Sequence, residues 1–141
     1  MKRQTLILAL ALGTILSVLP MRAQVKAHRV LFAVTSPDEA DWQLTANTVR
    51  NLISGLGPEP VEIEIYAFSP GIAFLKKEGP DANEIAKLQS PHVFLVARGN
   101  TMQKQNINAS YLVAGSKVVP AGIAELVRKR EQGWTYIKAG R

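Results

Sequence analysis

Two short runs, RVLFAVT (residues 29–35) and HVFLVA (residues 92–97), are almost free of polar side chains. A strand with one wet face alternates polar and apolar residues, so continuous apolar runs of this length require cover on both faces. The segments that follow them carry apolar residues at helical spacing. Strands alternating with helices imply a parallel sheet wound with right-handed crossovers. The expected fold class is α/β, a flavodoxin-like three-layer sandwich with a mainly parallel five-stranded sheet. The two apolar runs are expected at its centre, which gives the strand order 2-1-3-4-5.

The other elements fill in around these two. After the first run, Ser36 reads as a helix cap, Pro37 suits the first helical position, and Glu39 completes a capping box. The helix carries Trp42, Thr45, Ala46, Val49, Leu52, Ile53 and Leu56 on one stripe, and Gly55, Gly57 and Pro58 stop it. VEIEIYAF (residues 61–68) alternates, with Val61, Ile63, Ile65 and Ala67 opposite Glu62, Glu64 and Tyr66, which suggests a strand near the sheet edge. Ser69, Pro70 and Gly71 turn it into a short apolar helix, Ile72 to Leu75. Asp81 and Glu84 read as cap and box of a further helix with Ile85 and Leu88 facing in. Beyond the second apolar run, the polar stretch Gly99 to Ser110 holds a short helix, and KVV (residues 117–119) is a short strand. Pro120 opens a helix through Gln132 with Ile123, Ala124 and Val127 inward, and WTYIK (residues 134–138) is a final edge strand. No repeat, low-complexity tract or linker interrupts this order, so residues 28–141 read as one domain.

The first 27 residues stand apart. Met1-Lys2-Arg3 is a short basic start, LILALALGTILSVL (residues 6–19) is apolar, and Pro20 with small residues follows. That is the order of a secretory signal peptide, with cleavage after Ala23 or after Ala27. A retained membrane anchor is the alternative, but the run is short for a span that needs about 20 residues. A periplasmic or secreted location is therefore expected, with membrane contact only during export. Four of the 17 basic residues, Lys2, Arg3, Arg22 and Lys26, precede His28, so the net charge falls from +6 to +2 without them. The basic character is then poor support for a nucleic-acid partner, whose binders cluster Lys and Arg on one face. The remaining cluster, Arg128-Lys129-Arg130, closes a helix, where cations offset the negative end of its dipole.

The chain has no cysteine, which removes thiolate nucleophiles and thiol redox chemistry. Its two histidines, His28 and His92, begin the two apolar strands without a third ligand at suitable spacing, so no metal site is expected. Ser36 is explained as a cap, and no acidic pair reads as acid and base. No catalytic residue and no cofactor motif emerges. What the sequence places at the carboxyl ends of the strands is a set of donors. Arg98 offers a planar fork, Asn100 and Thr101 add neutral groups, and Gly99 leaves the backbone open to a ligand. Ser36, Ser69 and Gly71 flank them from the neighbouring strands, at the expected switch point of the sheet. The set suits a small anion. Arg98 pairing with a carboxylate across a subunit contact, or lying in solvent, is the competing reading.

Most of the domain resembles the DsrE/DsrF-like family of small, often sulfur-relay-associated proteins. The resemblance rests on VFLVARGNTM, VVPAGIAEL and GWTYIK in that order, with RVLFAVTSPDEADWQLTANTVRNLISGLG and VEIEIYAFSPGIAFL matching the first half. It implies a parallel α/β sheet and self-association into trimers or hexamers, which Trp134, Tyr136 and Phe68 could serve if exposed. Relatives that carry persulfide sulfur hold it on a cysteine in an ACGNT type motif, where this chain has Arg98. A guanidinium cannot accept sulfane sulfur. The expectation is an exported accessory or binding protein that takes a small anion, possible sulfur oxyanions included. The alternative is a sulfur-metabolism enzyme or relay component whose partner supplies the thiol, with Arg98 stabilising charge.

Overall fold

The computed structural model describes residues 26–140. The signal-peptide reading falls almost wholly on residues 1–25 and so lies outside the described residues. Five strands, β1 (His28–Val34), β2 (Val61–Ala67), β3 (Val93–Arg98), β4 (Lys117–Val119) and β5 (Thr135–Ala139), alternate with helices α1 (Glu39–Leu56), α2 (Ala82–Ala86), α3 (Gly99–Lys104) and α4 (Gly122–Glu131). Two 3-10 segments, Ser69–Leu75 and Ala109–Tyr111, sit in the connections. All four strand pairings are parallel, so the α/β sandwich with a five-stranded sheet is as expected.

The strand order is β4-β3-β2-β1-β5. It departs from the expected 2-1-3-4-5 in two respects: β2 stands in the middle, with Ile65 between Phe32 of β1 and Leu95 of β3, and β5 pairs with β1 instead of β4, which leaves β4 at an edge. The glutamates of β2 suggested a wet face, yet Glu64 is buried and its carboxylate lies 2.9 Å from Lys129 Nζ of α4. A charge opposite a charge lets an acidic strand take a central place. Because β1 through β4 step outward in one direction, α1, α2 and α3 fall on one face. The return to β5, on the far side of β1, puts α4 on the other, the only helix there among the described residues. The winding therefore reverses between β1 and β5.

The two faces have separate cores. On the first, Val34, Ile65, Phe74, Leu75 and Leu95 are essentially inaccessible, and α1 adds Trp42, Ala46 and Val49. Burying side chains of this size stabilises the fold by about 1.5–3 kcal/mol each. Asp38, not Ser36, caps α1, accepting from the Ala40 N–H at 2.9 Å. Ser36 instead accepts from the Asp38 N–H, and its carbonyl takes the Trp42 indole N–H. Gly57 ends the helix at φ 57°, where a residue with a Cβ is strained. Ile53, expected inward, is exposed. Asp81 holds the cap position of α2 without a side-chain capping bond, while Ile85 and Leu88 are buried as expected.

On the second face Leu31, Ala33, Tyr66, Phe68, Val96 and Trp134 meet the inner side of α4. That side is formed by Gly122, Glu125, Leu126 and Lys129. Ile123 and Val127, expected inward, are 50% and 51% exposed, and Ala124 is exposed too. The helix is rotated so that Lys129 reaches Glu64 and lies 4.0 Å from the centre of the Trp134 ring. Phe68 and Trp134 are therefore internal, and Tyr136 is half-buried. They do not form the exposed edge proposed for self-association. Among the described residues no helix is long and apolar enough to cross a membrane.

Candidate anion recess at the end of strand β3

Arg98 is the last residue of β3, and the pairing of Ala97 with Ala67 brings Ser69, two residues past β2, alongside it. Along β3, Leu95 and Ala97 point to the α1 face while Phe94 and Val96 point to the α4 face. Alternation sends Arg98 to the α4 face as well. Its stem packs beside Gly122, and its Nε is shielded from solvent with no partner.

A recess of about 120 Å³ opens there, lined by Ser69, Arg98, Asn100, Thr101, Lys104 and Gln105. Its floor is braced. Ser69 holds φ 44°, a left-handed conformation that is uncommon for a residue with a Cβ. The Thr101 hydroxyl accepts the Ser69 N–H at 3.1 Å, and the Gln105 amide donates to the Ser69 carbonyl at 3.3 Å. Those bonds hold a conformation that costs of order 1 kcal/mol or more. Neither Arg98 nor Lys104 forms an ion pair among the described residues, and no carboxylate lines the recess. The result is a concave site with two uncompensated cations and several neutral donors.

Of the residues expected at the mouth, Arg98, Asn100, Thr101 and Ser69 come together. Ser36 does not, because it is engaged at the start of α1. Gly71 is a packing residue: a Cβ there would stand 2.2 Å from the Val34 carbonyl oxygen. Gly99 is not open to a ligand of this recess either. Its missing side chain makes room for Pro120, whose Cα would lie 3.1 Å from a Cβ, and it borders a separate shallow depression with Val118. The recess sits between the ends of β2 and β3, away from the β1–β5 reversal, so it is not the switch-point crevice. Lys104 and Gln105 were missed. Lys104 follows Asn100 by four residues and Thr101 by three, the spacing that shares one helix face.

The described residues contain no group of three or more His, Asp or Glu able to hold a metal ion. His28 lies 2.8 Å from Glu59, far from the recess in the sheet, at the amino end of β1. Larger hollows exist, notably one of about 230 Å³ between α1 and α2. Its Arg50 and Glu84 already pair with each other.

The fold and this recess define the chain as a three-layer α/β protein with a small cationic site at the carboxyl edge of a parallel sheet. No family model matches the chain, and no curated protein matches it. Among solved structures it is similar to MTH1491 from Methanobacterium thermoautotrophicum, described as a protein of unknown function, with a TM-score of 0.74 and 31% identity. The match covers 79% of this chain and 98% of that one, and the chain belongs to the same family.

Proposed function

We propose that the protein is an exported, DsrE-like accessory protein that binds a small anion in the Arg98 recess and carries no sulfur itself. The observation that carries this reading is the recess: Arg98 and Lys104 face it without a carboxylate in its lining. Arginine presents a rigid fork of donors to oxyanions, and Lys104, Asn100 and Gln105 supply further donors around it. Size narrows the ligand. About 120 Å³ is well below the roughly 300 Å³ at which drug-sized pockets begin, which favours sulfate, thiosulfate or phosphate over a nucleotide. The absence of cysteine from the whole sequence removes the group on which a sulfur carrier depends. Export to the periplasm or outside the cell, and assembly into trimers or hexamers, belong to the same proposal. They rest on the amino-terminal pattern and the family resemblance. The exposed Val118, Ile123 and Val127 supply apolar surface for such an assembly in place of Trp134 and Phe68.

Thermal unfolding in sulfate, thiosulfate and phosphate, at constant ionic strength, tests the site. A ligand at a hundred times its Kd stabilises by about 2.7 kcal/mol. The stabilisation is expected in the native sequence and lost in Arg98→Ala. Equal responses in both proteins would refute the site, and sizing chromatography on the same samples reads the assembly.

A further inference from the structure

The Arg98 side chain is aimed by a helix. A Cβ on Gly122, the first residue of α4, would stand 2.8 Å from Arg98 Cγ, 3.2 Å from its Cδ and 3.3 Å from a Phe68 ring carbon. The contact is with the middle of the stem, which cannot swing aside as a free tip can. Gly122 is buried while its chain neighbours Ala121 and Ile123 are exposed, so the helix begins with this residue set against the stem. With Nε shielded and unpartnered, packing alone sets the direction of the stem at that point.

The other end of α4 is held by charge. Lys129 Nζ lies 2.9 Å from Glu64 Oε1, 3.9 Å from Glu125 Oε1 and 4.0 Å from the Trp134 ring centre, and its side chain is only 12% exposed. Seven residues at 1.5 Å each put this pin about 10 Å along the helix from Gly122. The surface beneath is continuous: Glu64 and Tyr66 lie under the pin end, and Tyr66 stacks on Phe68 at 5.5 Å. The outward residues Ile123 and Val127 contribute nothing to the seating. We infer that α4 is the positioning element of the recess, with Gly122 and Lys129 as positioning residues that orient the Arg98 guanidinium, Gly122 by contact and Lys129 through the seat of the helix. This rests on the recess being an anion site. It adds that the site depends on an ion pair on the covered face of the sheet, remote from any bound anion.

Two variants test it: Gly122→Ala, which crowds the stem, and Glu64→Gln/Lys129→Ala, which removes the pin without stranding a buried charge. The first readout needs no anion. Arginine-selective dicarbonyl labelling, followed residue by residue with mass spectrometry, reports the exposure of Arg98, with Arg50 on the opposite face as internal control. Labelling of Arg98 is expected to rise at least about fivefold in both variants, the lower range of energetic coupling between sites, with Arg50 unchanged. The second readout is the sulfate-dependent rise in unfolding temperature, expected to shrink in both. Wild-type labelling of Arg98 in either variant overturns the inference. So does an equal gain at Arg50 and Arg98, which would mean that the pin holds the whole fold instead of one helix. A wild-type protein with no Arg98-dependent sulfate response would refute the anion site instead, and the labelling result would still decide whether α4 orients the arginine.

Discussion

The two faces of the sheet are built on different physics. The face covered by α1, α2 and α3 is an apolar core of interlocking side chains, with Phe74, Leu75, Ile65 and Leu95 excluded from solvent. The face covered by α4 contains two aromatic rings in a stack, a buried indole and an ion pair with side chains 10% and 12% exposed. Apolar burial is non-directional and contributes most of the stability of a fold. A buried pair contributes little net stability, because desolvation offsets most of the attraction, but its geometry is demanding. The first face therefore holds the domain together, and the second sets where one helix lies. The candidate recess sits at the carboxyl edge, with its arginine stem on the second face.

The contrast can be broken from either side. The largest effect is expected on the apolar face, where Phe74→Ala should lower stability by about 3–5 kcal/mol, as read by denaturant unfolding. A loss below about 1 kcal/mol would show that this core is loosely packed. On the other face, Lys129→Met should cost about 3 kcal/mol because it strands the Glu64 carboxylate. Adding Glu64→Gln should recover most of that loss. If the double variant stays as unstable as the single one, the pair is a net source of stability and the contrast between the faces fails. The smallest effect concerns pH. Burial, reinforced by the negative charges of Glu64 and Glu125, pushes the Tyr66 hydroxyl above its usual range. The folded state then keeps a proton that the unfolded chain releases near pH 10, so stability is full below about pH 10 and falls as the pH rises further. Tyr66→Phe should flatten that alkaline decline in pH-dependent unfolding, and an unchanged slope would assign it to other groups.

Much of the architecture was legible in the sequence, because the period of the apolar residues carries it. RVLFAV and VFLVA are short, continuous and rich in β-branched residues, which suits covered strands, and the position of Arg98 at the tip of one followed from that. The central place of β2 was hidden for a physical reason. Glu64 reads as wet until its partner is known, and Lys129 lies 65 residues further on. The same pair misled the reading of α4, where Ile123 and Val127 suggested the inner side although the charge on Glu64 demanded the other. Glycines were misread in a different way. Gly71 and Gly99 are spaces for Val34 and Pro120, a fact of tertiary approach that no local pattern displays. Lys104 shares a helix face with Asn100 and Thr101, so the spacing within Gly99–Lys104 carries its signal.

That a single helix covers the second face among the described residues has a consequence for what solvent can reach. Five strands at about 4.8 Å apart span roughly 19 Å between the outer two, whereas a helix with its side chains is about 10–12 Å across. One such rod leaves margins on both flanks, where Phe94, Val119 and Tyr136 are only half-buried. Among the described residues the domain thus has a thickly covered face and a thinly covered one, and the thin one leaves apolar strand surface within reach of solvent.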